Sequence, residues 1–256
     1  MRVFVFKVKW WCVTVLLIIA FLSLLPQVRT PLIVAVTSRA RLVPIYEVRT
    51  DQKQVAISFD ATWGTELTDE ILEILATHGI KTTFFLAGQW VDKYPEYVVK
   101  IAAAGHEIGN HSYSHPHMNS LDEKGIGYEL GKLDEMIRDL TGKRTIVFRP
   151  PFGEYNNRVL STATALGYYP VQWSVDSLDW KNLSSGQIYD RVMREIKPGS
   201  IVLFHNAGPG TPGAIRRIIP DLKQAGYSIL PVSELIFKDD YYIDHAGVQH
   251  RGKGGR

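Results

Sequence analysis

Cysteine is nearly absent from this chain. Its 256 residues include one, Cys12, set in an apolar N-terminal run. A single thiol cannot form an intramolecular disulfide, and zinc sites built from several cysteines are excluded. An excess of either charge is lacking too. The 29 Lys and Arg stand against 26 Asp and Glu, for a net charge of +3. Even that surplus is local. Residues 1–30 hold Arg2, Lys7, Lys9 and Arg29 with no acid, and the remaining 25 bases face 26 acids. Nucleic-acid binding needs a basic face, so a body this close to neutral argues against that class of partner.

What is present is a chain of ordinary globular composition, 45% hydrophobic and 21% charged, long enough for one substantial domain. Its N-terminus stands apart. Trp10 to Leu25 contains no charged residue, and Arg2, Lys7 and Lys9 precede it. Positive residues ahead of an apolar run favour an N-terminus left in the cytoplasm. Counted from Val8 to Val28, with Lys9 snorkelling, the run reaches the ~20 residues of a membrane span. Residues 1–30 therefore read first as an uncleaved signal-anchor, with the domain displayed outside a cell membrane that the chain crosses once. A cleaved signal peptide, which would make the domain secreted, is the rival; a buried helix is the third reading. "PQVRTPLIVAVTSRA" offers few small residues where a cleavage site needs them. Residues 31–51 read as a stalk. The tail 238–256, "KDDYYIDHAGVQHRGKGGR", reads as polar and disordered, with no role for His245 or His250.

Between these, 52–237 alternates short apolar runs with longer amphipathic ones. The runs at 55–60, 82–87, 106–110, 146–149, 168–174, 200–205 and 227–232 predict strands. Helical spacing predicts helices over 66–78, 95–105, 121–141, 156–166, 185–196 and 212–225, several closed by glycine. Strands alternating with helices imply parallel βα units, in a barrel or an open doubly wound sheet. Asp60, the pair His111 and His115, Arg149, the pair Asp176 and Asp179, and His205 each end or follow a strand. A closed arrangement gathers five such carboxyl ends around one mouth, whereas an open sheet spreads them along an edge. That favours an irregular (β/α) barrel with about seven parallel strands.

The residues at those ends form recognisable groups. "SFDATWG" carries Asp60 to the tip of a buried strand. "HSYSH" spaces His111 and His115 four apart, so one helical turn would place both imidazoles on one face, as metal ligands. His106 reads as structural, and so does His117, a substitute ligand at best. "RPPFG" holds Arg149 in a fixed direction ahead of two prolines and leaves the N–H groups of Phe152 and Gly153 free for an anion. "DSLDW" supplies Asp176, Asp179 and Trp180, and "LFH" directs Leu203 and His205 at the mouth by period-two alternation.

In that order these segments resemble the five motifs of the polysaccharide deacetylase family, the NodB-homology domain of carbohydrate esterase family four, over residues 52–236. The "FDATWG" form with a short N-terminal anchor is most similar to the sporulation-associated branch of endospore-forming bacteria. The resemblance implies metal-assisted removal of N-acetyl groups from a cell-wall polysaccharide, peptidoglycan or a chitin-like polymer. A divalent metal, zinc before cobalt, would sit on His111 and His115. Asp60 matches the general base, held ionised by Arg149. His205 matches the general acid, oriented by Asp179. Phe152 would contribute a backbone N–H beside Gly153, Trp180 and Leu203 would line the acetyl pocket, and Asp176 would border the substrate.

One position departs from that pattern. The second acid of the first motif, the family's third metal ligand, is here Ala61. A methyl group cannot coordinate, and catalytic zinc normally has three protein ligands. The chain therefore reads as a deacetylase with a weakened metal site. The alternative is a metal-poor relative, weakly active or inactive, that binds cell-wall glycan.

Overall fold

The structure, a computed structural model, describes Trp10 and residues 41–252. The expected signal-anchor, Trp10 apart, and residues 31–40 of the expected stalk lie outside the described residues. Among those described, no helix is long and apolar enough to cross a membrane.

The first half of the domain runs β1 (Glu47–Val48), β2 (Gln54–Ala61), α1 (Thr68–Thr77), β3 (Thr83–Leu86), α2 (Gly88–Lys93), α3 (Pro95–Ala103), β4 (Glu107–Asn110) and α4 (Glu123–Thr141). Then follow β5 (Val147–Phe148), α5 (Asn157–Ala165), β6 (Tyr169–Pro170), β7 (Val175–Asp176), α6 (Ser185–Glu195), β8 (Ile201–His205) and α7 (Thr211–Gln224). The chain closes with β9 (Ser228–Leu230), α8 (Val232–Leu235), β10 (Tyr241–Ile243) and β11 (Val248–Arg251).

Local chemistry sets the helix ends. Asp122 accepts the Gly125 N–H at the start of α4, and Gly142 ends that helix in the left-handed region. Asn156 caps α5 through the Val159 N–H, and Ser184 with Gln187 forms a capping box on α6.

The main sheet is parallel throughout, in the order β6-β5-β4-β3-β2-β8-β7, and β9 pairs with the first part of β2. The strands curl into a half-barrel. Its edges, β6 and β7, are consecutive in sequence but do not pair; instead Ile45 bridges Val171 and Glu47 bridges Ser200. The irregular barrel expected from the sequence is present, with β7 as a short strand after the 168–174 run.

Strand β2 shows why the fold closes on both faces. Val55, Ile57, Phe59 and Ala61 join the apolar layer that includes Ile71 and Leu75 of α1 and Ile215 and Ile219 of α7. On the other alternation, Ala56 joins Phe85, Val147 and Ile201 inside the half-barrel, with Ile45 and Val232. Each large aliphatic buried this way contributes about 1.5–3 kcal/mol relative to exposure. Ser58 and Asp60 share the alternation of Ala56, so this face turns from apolar to polar as β2 nears the mouth.

Two expectations at the domain's ends need correction. The last part of the expected stalk is in the core: Ile45 is 1% exposed and Val48 2%. The described part of the tail, to Gly252, is ordered: β10 and β11 form an antiparallel hairpin and β11 runs parallel to β1. Its polarity is satisfied internally. Asp244 accepts from the Ala246 and Val248 N–H groups and pairs with His250, which stacks on Tyr242. Gln249 is fully buried, and its amide bonds both backbone groups of Phe237.

Candidate active site

At the carboxyl ends of the strands lies a cavity of about 680 Å³. Asp60, one residue from the end of β2, is in register with His205 at the end of β8. Asp60 is 5% exposed. Its Oδ1 accepts from Arg149 Nη1 at 2.7 Å, and its Oδ2 lies 3.6 Å from His111 Nε2. Burial alone would raise the carboxyl's pKa. The charge of Arg149, helped by His111 and His205, outweighs burial and holds Asp60 below the ordinary aspartate range.

Arg149 follows β5 and is fully buried. Its Nη2 donates to Ser58 Oγ at 2.9 Å and to the Gln172 carbonyl at 3.1 Å, and its guanidinium lies 4.0 Å from the centre of the Phe85 ring. Three separate elements therefore fix the cation that holds Asp60. The next residues, Pro150 and Pro151, lead into Phe152, which adopts a left-handed backbone with φ 58°. The Gly153 N–H is not free for an anion, as it donates to the Pro150 carbonyl at 3.2 Å. That leaves the Phe152 N–H for the role.

The His205 side is built the same way. Asp179 is fully buried, and its Oδ1 accepts from His205 Nδ1 at 2.7 Å. Its Oδ2 accepts from the His205 backbone N–H at 2.7 Å and from Thr211 Oγ1 at 2.5 Å. A carboxylate can only accept, so Nδ1 carries the proton and Nε2 remains for substrate. Burial would lower the pKa of His205, but the bond to Asp179 and that carboxylate's charge outweigh it and raise the value. Gly208 matters here: a Cβ at that position would lie 2.7 Å from Asp179 Oδ2.

His111 and His115 do come together, with ring centres 4.9 Å apart, but not on a helix. Ser112 and His115 both have left-handed backbones, and the loop is tied by Asn110 Oδ1 to the Ser112 N–H and by Glu129 to Ser114. Short polar side chains that bond nearby backbone compete with the helix that four-residue spacing suggests. His111 Nδ1 donates to the Arg149 carbonyl at 2.7 Å, which fixes its tautomer and leaves Nε2 unprotonated when the ring is neutral. Burial pushes both pKa values down, that of His115 to about 4 with help from His111.

These two imidazoles are the nitrogen donors a divalent metal would need, but the donor set stops there. Among the described residues, no group of three His, Cys, Asp or Glu is placed to hold a metal. Ala61 is fully buried in the apolar layer with Phe59. His117 is turned to the surface, stacked on Phe152 and bonded to Glu154. Asp60 is engaged by Arg149. The residues present do not fit a catalytic metal centre with three protein ligands.

Phe152, Gly153, Trp180, Leu203 and Asp176 all line the cavity, as expected. Asp176 also turns its own loop, accepting the Leu178 N–H. Sequence reasoning missed Thr62, Trp63 and Trp173, which line the same cavity. For Trp63 the signal was a large apolar residue in the loop immediately after Asp60. A second cavity of about 670 Å³, between residues 48–54, 233–239 and Arg251, contains none of the motif residues.

The family model for polysaccharide deacetylase matches residues 47–171. A peptidoglycan-N-acetylglucosamine deacetylase of Bacillus cereus is 37% identical over 198 residues, covering 75% of this chain and 92% of that protein. The chain belongs to the polysaccharide deacetylase family. The peptidoglycan-N-acetylmuramic acid deacetylase PdaA of Bacillus subtilis is 33% identical over 199 residues, or 76% of each chain. The solved structure of BA3943 from Bacillus anthracis, a pseudoenzyme of carbohydrate esterase family four, has a TM-score of 0.73 at 34% identity, covering 83% of this chain and 73% of that one. A mutant of BA3943 with restored enzymatic activity also has a TM-score of 0.73, at 38% identity, covering 77% of this chain and 71% of that one. The chain spans 60% and 66% of the length of two other curated relatives it matches.

Proposed function

We propose that the domain binds N-acetylated cell-wall glycan, peptidoglycan before chitin-like polymers, and hydrolyses its N-acetyl groups slowly. The observation that carries this reading is the register of Asp60 with His205 at one cavity, each with its buried orienting partner in place. Asp60, kept ionised by Arg149, takes a proton from the water that attacks the acetyl carbonyl. The Phe152 N–H faces the developing oxyanion. His205 acts from its imidazolium form, which Asp179 favours, and gives the Nε2 proton to the amine nitrogen as the C–N bond breaks, releasing acetate. Trp180 and Leu203 receive the acetyl methyl group. A strong electrophile is what the site lacks: two imidazoles hold a cation loosely, so turnover is slow.

A second reading, glycan binding without turnover, is favoured by Ala61 and by the likeness to BA3943. Acetate release from peptidoglycan and from N-acetylglucosamine oligomers separates the two. Slow release that falls at least about a hundredfold in Asp60→Asn and His205→Ala supports hydrolysis. Tight glycan binding with release no faster than in those variants establishes the second reading.

The same proposal displays the domain outside the cytoplasmic membrane, on the strength of the charge-free run Trp10–Leu25 behind Arg2, Lys7 and Lys9. The "FDATWG" motif supports a role in sporulation. Protease added to intact protoplasts should remove the domain, and complete protection would contradict this placement.

A further inference from the structure

Three exposed aromatic side chains line the mouth of the cavity: Trp63 at 71% exposure, and Phe152 and Trp180 at 57% each. Two of them are engaged. Phe152 lies edge-on to His115 and stacks on His117, and Lys181 sits 5.0 Å from the centre of the Trp180 ring. Trp63 makes no ring contact, cation–π contact or side-chain hydrogen bond among the described residues.

Its backbone, by contrast, is firmly held. The carbonyl of the next residue, Gly64, accepts from Trp90 Nε1 at 2.7 Å and from Asn206 Nδ2 at 2.8 Å. Gly64 has a φ of 51°, and a Cβ there would run into the Glu66 carboxylate. Asn206 is the residue after His205. Its side chain also bonds Thr68 Oγ1, and its N–H donates to the Asp60 carbonyl at 3.2 Å. The loop bearing Trp63 is therefore tied to both the base strand and the acid strand. A single exposed apolar side chain needs no explanation. One presented at a cavity mouth on a backbone clamped to both reacting groups is a positioned surface.

We propose that Trp63 is the stacking platform for a pyranose ring next to the one that enters the cavity, and that it makes the site selective for oligosaccharide over monosaccharide. A flat indole offers a large contact area to the C–H face of a sugar, and its N–H can donate to a hydroxyl. On this proposal the acetylated sugar is held by Trp180 and Leu203, and the next ring of a chain lies across Trp63, which lines the same cavity. This inference rests on the reading that the cavity takes N-acetylated glycan.

The test is calorimetric titration of the full chain with N-acetylglucosamine and with its tetramer, for wild type, Trp63→Ala and Trp63→Phe. Trp63→Ala should weaken tetramer binding about three- to tenfold and leave monomer binding unchanged, with Trp63→Phe in between. Unfolding temperatures should be close, since the side chain is 71% exposed. Equal tetramer affinity in wild type and Trp63→Ala overturns this inference and leaves the glycan reading standing. A parallel loss for monomer and tetramer overturns it as well, because Trp63 would then serve the acetylated sugar itself. Absence of tetramer binding by wild type removes the functional reading and this inference together.

Discussion

The cavity has two halves in different states of completion. On one side, Asp60 with Arg149 and His205 with Asp179 are intact down to their supporting contacts, including Ser58, Thr211 and the bare Gly208. On the other, His111 and His115 come together with no third donor beside them among the described residues, and Ala61 puts a buried methyl group where the resemblance expects a carboxylate. Each of these two ion pairs also supports the fold, because its buried carboxylate would otherwise be uncompensated. Ala61, in contrast, sits within the apolar layer without conflict. The comparison yields a physical rule: groups that pair buried charges also hold up the structure, whereas a methyl group at position 61 costs the fold nothing.

The largest effect that could break this comparison is at Arg149. Arg149→Met leaves Asp60 buried without its cation and should cost about 3–5 kcal/mol in urea unfolding. A loss below 1 kcal/mol would show that the pair is not structural. Next comes the C-terminal hairpin. Removing residues 240–256 uncovers apolar surface at Val48 and Phe237 and should cost about 2 kcal/mol, read as a lower unfolding midpoint. The smallest is Asp179→Asn, at about 1.5 kcal/mol. Its pH dependence gives a sharper reading. The pKa of His205 is raised in the fold, so stability from its ion pair is fully present below the ordinary histidine value of about 6.5. It fades as pH rises through the raised value. The stability gap between wild type and Asp179→Asn should therefore be widest in acid and narrow above neutrality, and a gap that widens with pH would contradict the assignment.

Much of this was legible in the sequence, for a physical reason. Asp60, Arg149, Asp179 and His205 interrupt or end apolar runs, and a charge at the tip of a buried strand has few explanations other than a site or a salt bridge. The alternation of strands and helices carried the fold in the same way. Where sequence reasoning failed, local polar bonds decided the outcome. Ser112, Ser114 and Asn110 turned the histidine segment into a loop, and Asp244 turned a polar tail into a hairpin. Neither leaves an apolar periodicity to read. Trp63 was hidden differently: its neighbours in sequence do not show that Trp90 and Asn206 would clamp its loop.

The central claim is that a missing carboxylate at position 61 limits this site. Ala61 is the last residue of β2, and Thr62 already lines the cavity. A carboxylate at 61 is therefore one residue from the mouth, in a buried setting where it is costly until a cation neutralises it. The direct measurement is zinc titration by calorimetry of wild type and Ala61→Asp, with acetate release from peptidoglycan followed on the same samples. The account predicts that Ala61→Asp is less stable than wild type in chelator, regains stability with zinc, binds zinc at least about tenfold more tightly and releases acetate faster. Equal zinc affinity and equal acetate release in the two proteins would contradict it, and would mean that the loop around His111 and His115, rather than the absent oxygen, sets what this site can do.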